Sequence, residues 1–288
     1  MSKAYDLIAK EFGKTAMHSA SFLLDRPRKV ISLSPALDII LSGGVPQGSI
    51  LMSSGQYKAG KTTKALTFCA EFQRVLPDSC VYYFDIEDRL KEMNLKGIRG
   101  LDVSKERFQR IAPVPAEGNK PARVYVAEEY LKMAKMILEN EPECLIIFDS
   151  ASAMCTRDEA TTDPSGQIRA MGPKLLAHFL KQNAPLVHLN NSIFWSIHHL
   201  IDNTSGYGEA KKEDGGNKIQ YWQDIKLRAK SSMPWEVGGN QIGLKVTWQC
   251  KNSALGSPNQ SIESFIRFNH GIDKEEEVIA LASPMGLI

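Results

Sequence analysis

Between residues 50 and 200 the apolar positions fall into short runs separated by longer amphipathic stretches. Ile50-Leu51-Met52, Val81-Tyr82-Tyr83-Phe84 and Leu145-Ile146-Ile147-Phe148 are such runs, and Ile193–Ile197 is another. Runs of this kind suit strands covered on both faces, as in a parallel sheet. The stretches between them repeat at helical spacing. Lys61–Val75, Val124–Glu139 and Pro173–Gln182 read as helices, the second with Ala127, Tyr130, Leu131, Ala134 and Leu138 on one stripe. Phe108–Ala112 is a weaker strand. The alternation predicts an α/β fold with a central, mostly parallel sheet flanked by helices. Farther along, Asp224–Ala229, Leu244–Cys250 and Glu263–Phe268 alternate polar with apolar residues, which predicts antiparallel strands extending one side of the sheet.

The ends of the chain read differently. Tyr5, Leu7, Ile8 and Phe12 share a helical face that stops at Gly13, and residues 14–34 look extended around Pro27 and Val30-Ile31. So short a helix is marginal alone and needs a surface, either its own domain or a neighbouring subunit. The chain divides accordingly into an arm, residues 1–34, and a core, residues 35–288. The stretch Asp202–Asn217 is mostly polar, and Glu275-Glu276-Glu277 reads as a solvated turn.

Composition narrows the setting. With 288 residues and 43% hydrophobic side chains, one large core is available. The five cysteines are odd in number and contain no CxxC pair, which predicts reduced thiols rather than disulfides or a zinc site. The N-terminus lacks the apolar core of a signal peptide, and no apolar run approaches a membrane span, so a cytoplasmic protein with no membrane contact is expected. A formal net charge of +2 leaves any nucleic-acid contact to local basic clusters.

The sharpest chemical signal is Gly55-Gln56-Tyr57-Lys58-Ala59-Gly60-Lys61-Thr62, which fits GxxxxGK[ST] between a predicted strand and a predicted helix. Gly55 and Gly60 let the backbone wrap a phosphate, and the loop N–H groups and helix N-terminus face the anion. Lys61 is placed to reach the terminal phosphates of ATP, Thr62 to ligand Mg²⁺, and Thr63 follows in the first helical turn. Asp149, closing the apolar strand Leu145–Phe148, suits the Mg²⁺ shell. Asp85, Glu87 and Asp88 follow another strand, where one of them could polarise an attacking water.

A longer series of landmarks resembles the RecA family, including its phage branch typified by UvsX. Ile8-Ala9-Lys10-Glu11-Phe12-Gly13-Lys14 resembles the end of the family's N-terminal helix. Ile31-Ser32-Leu33-Ser34, Leu37-Asp38-Ile39 and Gly43-Gly44-Val45-Pro46-Gln47-Gly48 resemble the entry to its first core strand. Asp149-Ser150, Gly215-Gly216-Asn217, Lys251-Asn252 and Gly271-Ile272 follow in family order, so the resemblance covers nearly the whole chain.

The resemblance implies a RecA-type P-loop core whose N-terminal helix and strand dock on the next protomer, with nucleotide between subunits. It implies Glu87 as the residue that activates water, His199 rather than His198 as the sensor of the terminal phosphate, and Lys251 reaching a neighbour's nucleotide. Phe268 would pack near adenine. Two DNA loops would correspond to residues 157–169 and 202–214, with Arg157, Arg169, Lys174, Lys211 and Lys212 on phosphates and Tyr207 against bases. The function implied is a DNA-dependent ATPase that forms helical filaments on single-stranded DNA and exchanges strands with duplex DNA. Two departures stand out. Ser253 occupies the place of a second basic residue, and the chain ends soon after Ile272, without the regulatory C-terminal domain of bacterial members. The first keeps open a filament scaffold or mediator that uses ATP as a switch. A ring-forming helicase of the same fold is the other alternative.

Overall fold

A computed structural model of the chain describes every residue except 1, 20, 22, 23, 25, 26, 164–171, 204–210, 215, 254, 257 and 288, and leaves aside the side chains at 216 and 217. Helix α1 (Lys3–Phe12) is capped by Ser2, whose hydroxyl accepts the Tyr5 N–H, and it buries none of its residues. Strand β1 (Val30–Ile31), helix α2 (Pro35–Leu41) and strand β2 (Val45–Pro46) follow, with β1 antiparallel to β2. The central alternation is β3 (Ile50–Gly55), α3 (Lys61–Val75), β4 (Val81–Asp85), α4 (Glu92–Lys96), β5 (Phe108–Ile111), α5 (Ala127–Asn140), β6 (Leu145–Asp149), α6 (Arg157–Thr161), α7 (Gly172–Leu189) and β7 (Ile193–Asp202). The chain continues through β8 (Lys211–Glu213), α8 (Gly216–Ile219), β9 (Ile225–Val237), β10 (Asn240–Ser253), β11 (Ser261–Arg267), β12 (Gly271–Ile272) and α9 (Lys274–Ala282).

The main sheet has the order β12-β11-β10-β9-β3-β7-β6-β4-β5, with β8 added beside β7. Strands β9, β3, β7, β6, β4 and β5 are mutually parallel. Successive side chains leave the sheet on opposite faces. Leu145 and Ile147 therefore join α3, with Phe68 and Phe72, in one core layer, while Ile146 and Phe148 meet α5 and α7 in the other. No helix among the described residues is long and apolar enough to cross a membrane.

Several expectations change. Strand β9 was expected to be antiparallel but runs parallel to β3; the antiparallel part begins at β10. The reversal lies in the turn at Gly238-Gly239, whose φ angles of 58° and 80° glycine adopts readily. Helix α7 runs on past Gln182 to Leu189 with Pro185 inside it. Proline removes one helical hydrogen bond, but buried Phe179, Leu180, Asn183, Ala184 and Val187 keep the segment packed across it. Helix α2 was not anticipated. Its signal was Ser34-Pro35, an N-cap followed by proline in the first turn.

The 1–34 boundary also cuts through packed structure. Ile31 and Leu33 are fully buried in the core, and the Lys29 N–H donates to Gln47 Oε1 at 3.0 Å. Residues 29–34 are therefore packed with the core. Nor is Glu275-Glu276-Glu277 a solvated turn: it forms the first turn of α9, capped by Asp273. Glu277 is fully buried, accepting the Ala36 N–H at 2.9 Å and the Ser264 hydroxyl. Burial pushes its carboxyl above the usual range, against those hydrogen bonds.

Several buried polar atoms among the described residues lack a hydrogen-bond partner, and one of them belongs to a lysine. Lys64, on α3, is fully buried. Its Nζ lies 3.4 Å from the ring centroid of Trp248 and 5.4 Å from that of Trp195, with no hydrogen-bond partner. Burial drives its pKa well below the usual value, and Lys61 adds repulsion. Facing a ring favours the charged ammonium by about 0.5–2 kcal/mol, less than full desolvation costs. Below its ordinary value of 10.5, the unfolded chain holds a proton that the native state lacks, down to the lowered native value. Stability therefore rises with pH through that window. Lys64→Met should stabilise the fold by roughly 1–3 kcal/mol, the scale of an unsatisfied buried polar group, and remove this alkaline slope. Thermal melts of the two proteins between neutral and alkaline pH measure both effects. Lower stability in the variant would contradict the assignment.

Candidate functional site

The parallel strands β3, β4, β6 and β7 end together along one edge, where ligands of open α/β sheets bind. Their terminal residues are in register: Gly55 beside His199, and Asp85 beside Asp149. The loop leaving β3 passes close to the neighbouring strands. A Cβ on Gly60, where φ is 75°, would lie 2.1 Å from Ile266 Cδ1, and one on Gly55 would lie 2.8 Å from Ala229 Cβ. Gly55 is therefore required by packing, and Gly60 by its left-handed backbone, since the Ile266 side-chain tip could move aside.

The loop opens α3, and its polar side chains are engaged within the protein. Lys61 is buried, and its Nζ donates to the carbonyls of Gly55 at 2.9 Å and Gln56 at 2.7 Å. Burial lowers its pKa, while Asp149 and Glu87 favour its charge. The Thr62 hydroxyl donates to Asp149 Oδ2 at 2.7 Å, and the Tyr83 hydroxyl donates to the same oxygen at 2.6 Å. Burial nevertheless holds the Asp149 carboxyl above its usual range. The peptide between Asp149 and Ser150 is cis.

Glu87 sits beside this group. Its Oε1 accepts the Ser150 hydroxyl at 2.6 Å and lies 2.9 Å from His199 Nε2. A carboxylate only accepts, so His199 is the donor there. Its Oε2 meets Arg89 Nη1 at 3.0 Å. Burial opposes the Glu87 charge, but Ser150, His199 and Arg89 outweigh it and hold the carboxyl below its usual range. His198 points elsewhere, its ring nitrogens 3.2 Å from the Asp214 carbonyl and 3.0 Å from Ser196 Oγ. Burial pushes its pKa down to about 4, so it is neutral near pH 7.

These side chains line a cleft of about 640 Å³, which Tyr57, Lys58 and Phe268 also border. Thr62 and Asp149 offer oxygen donors of the kind a hard divalent cation such as Mg²⁺ accepts alongside substrate phosphates. Among the described residues no three His, Cys, Asp or Glu side chains converge on a possible metal position.

The exit of the second polar loop is fastened to the floor of this cleft. Glu213 Oε1 accepts the Ser54 hydroxyl at 3.2 Å, one residue before Gly55, and its Oε2 lies 3.3 Å from Lys226 Nζ. Arg228 Nη2 donates to the Lys211 carbonyl at 2.9 Å, and the Asp214 N–H donates to the His199 carbonyl at 3.0 Å.

The structure thus gathers Tyr57 to Thr63, Glu87, Asp149, His199 and Phe268 around one cleft, while Gly55 and Gln56 offer their carbonyls to Lys61 beside it. Lys251 is not among them. Across the sheet, Trp248 is level with Ala229 and Gly55, and Lys251 lies three residues farther from the edge. Arg157 and Lys211-Lys212, expected in loops, begin helix α6 and form strand β8 instead. The Thr156–Glu159 capping box explains the first, and pairing with Ile201 and Asp202 the second. Arg157, Lys174 and Lys212 are exposed, and Lys211 is half-buried. Arg169 and Tyr207 lie outside the described residues. Tyr83, Ser150 and Arg89 escaped the sequence reading. A tyrosine two places before a strand-end acid was the available signal for the first.

Burial gives Asp149 a testable signature. Its native pKa is raised above the unfolded value, so the native state holds more protons between the two, and stability falls as pH rises through that window. Asp149→Asn, which still accepts from Thr62 and Tyr83, should raise the melting temperature of the unliganded protein at neutral pH. The same change should abolish Mg²⁺-dependent nucleotide binding. Calorimetry on both proteins, with and without Mg²⁺ and nucleotide, checks the pair; a destabilised variant that still binds would contradict it.

Comparison with known proteins agrees with this geometry. Residues 1–273 match the RecA N-terminal domain model. Protein RecA of Thermus thermophilus is 25% identical over 295 aligned residues, covering 100% of this chain and 81% of that protein. Protein RecA of Wolinella succinogenes is 27% identical over 285, covering 96% and 77%. Protein RecA of Nitratiruptor is 26% identical over 294, covering 99% and 81%. The chain belongs to the RecA family.

Proposed function

We propose that this protein is a DNA-dependent ATPase that assembles as helical filaments on single-stranded DNA and promotes pairing and strand exchange with a homologous duplex. The observation that carries the reading is Glu87. It is held beside the phosphate loop by Ser150 and by His199, and His199 lies on β7, the strand that leads into the second polar loop. One carboxylate is thereby tied to the nucleotide cleft and to the segment that would bind DNA.

The residues divide the work. Lys61 exchanges its own-loop carbonyls for the terminal phosphates of ATP, a charge-assisted contact. Thr62 and Asp149 hold Mg²⁺, which supplies positive charge to the phosphates when bound. Glu87 accepts a proton from the attacking water, and its lowered pKa keeps it ionised for that task. His199 meets the terminal phosphate, and its movement would be felt at Asp214 through the backbone bond between them. Lys251 acts on a neighbouring protomer's nucleotide, in keeping with its place farther from the sheet edge. The exposed α1 docks on that neighbour, and Phe268 borders adenine. Arg157, Arg169, Lys174, Lys211 and Lys212 contact DNA phosphates, while Tyr207 stacks on bases. A histidine at the sensor position favours the phage branch typified by UvsX.

A filament scaffold in which ATP serves as a switch has one observation in its favour. Ser253 lies where a second basic residue would act in trans, and its hydroxyl is taken up by the Leu255 and Gly256 N–H groups.

Steady-state hydrolysis with and without single-stranded DNA tests the reading. The wild type should turn over faster with DNA. Glu87→Gln should retain ATP and DNA binding but lose turnover by about a hundredfold or more, the usual scale of general-base catalysis. Replacing Lys211 and Lys212 by Ala should reduce the log–log salt slope of single-strand binding by about 0.7 per lost phosphate contact. Near-normal turnover in Glu87→Gln would refute the base assignment, and an unchanged salt slope would remove β8 from the DNA surface.

A further inference from the structure

Arg89 enters the mechanism above only as a charge beside Glu87, the residue on which that mechanism turns. Glu87 has two carboxylate oxygens. Ser150 and His199 hold Oε1, and the Arg89 guanidinium sits on Oε2. The oxygen covered by Arg89 is therefore the one left for a water to reach.

The root and the head of Arg89 are held differently. Its backbone N–H donates to Asp85 Oδ1 at 3.0 Å, and the Leu90 N–H donates to Asp85 Oδ2 at 3.0 Å. Asp85 is gripped in turn by Arg110 at 2.6 Å and is almost fully buried. The Arg89 side chain is 66% exposed, borders the nucleotide cleft, and stands with its guanidinium 6.0 Å from the Tyr57 ring of the phosphate loop. A fixed base thus carries a solvent-exposed cationic head that pairs with Glu87 beside the phosphate loop.

An ion pair whose cation is this exposed is screened by solvent and can be exchanged for a stronger one. A triphosphate entering the cleft brings several negative charges, and a guanidinium matches phosphate oxygens in a two-pronged geometry. The phosphate therefore outcompetes a single carboxylate for the same head. We propose that Arg89 is a phosphate-contacting residue that acts in cis. Without triphosphate it covers Glu87 Oε2. With ATP bound, it shifts to the terminal phosphate, adds positive charge there and uncovers the carboxylate oxygen that accepts the water's proton. This rests on the ATPase reading and deepens it: Arg89 becomes the residue that tells ATP from ADP and keeps the base covered until the terminal phosphate is present.

The test compares the wild-type chain with Arg89→Ala and Arg89→Lys. Titration calorimetry with Mg²⁺ and either a non-hydrolysable ATP analogue or ADP reads affinity, and steady-state hydrolysis reads kcat and KM. The expected result for Arg89→Ala is at least a tenfold loss of affinity for the analogue, with ADP affinity within twofold of wild type and kcat reduced. Arg89→Lys should recover part of the analogue affinity, since it keeps the charge but not the fork. Unchanged ADP binding separates this role from a structural one, and an exposed side chain leaves the fold intact. If the wild type binds and hydrolyses ATP while Arg89→Ala discriminates the two nucleotides equally well, the inference is overturned and the ATPase reading stands. If the wild type binds neither nucleotide, both fall.

Discussion

The arrangement depends on a carboxylate placed where carboxylates are least comfortable. Asp149 ends a strand buried on both faces, and burial raises its pKa despite two hydrogen bonds to one of its oxygens. Those bonds come from different elements: Tyr83 on β4 and Thr62 at the start of α3. The acid thus joins the second strand, the phosphate loop and its own strand at a single atom. Such a cost in the unliganded protein makes sense if a cation and phosphates relieve it. Lys61 is held in a matching way, buried and bonded to carbonyls of its own loop. The site is internally satisfied, but with bonds that a nucleotide's phosphates can replace.

A second layer links this edge to the rest of the fold. His199 and Ser150 converge on one oxygen of Glu87. Beyond His199 the chain enters the second polar loop, and it returns as β8, fastened through Glu213 to Ser54 and Lys226. The loop's beginning is therefore tied to Glu87 and its end to the residue before the phosphate loop. Motion at either anchor must be accommodated at the cleft.

Much of this was legible in the residues because the strongest signals were local. The loop from Gly55 to Thr62, the four buried strands and the stripe on α5 all follow from spacing and hydrophobic runs, and the same five α5 residues are the buried ones. Helix α2 and the long reach of α7 were less legible. A helix of seven residues offers little periodicity, and Pro185 reads as a break unless tertiary packing is known to hold the helix through it. The parallel direction of β9 depends on the crossover from β7, which alternation within the strand does not reveal. Polar partners brought together by the fold were hidden for a similar reason. Tyr83 and Thr62 reach Asp149 from 66 and 87 positions away, and Glu277 reaches Ala36 across 241. The run Glu275-Glu276-Glu277 looked solvated because composition does not show which of three adjacent acids turns inward.

The proposed function requires that nucleotide in this cleft promote assembly on DNA. Electron microscopy of the full chain with single-stranded DNA, Mg²⁺ and a non-hydrolysable ATP analogue tests it most directly, beside a matched sample without nucleotide. The account predicts regular helical filaments with the analogue and few or none without it. Closed rings, or filaments equally abundant and alike in both samples, would contradict it.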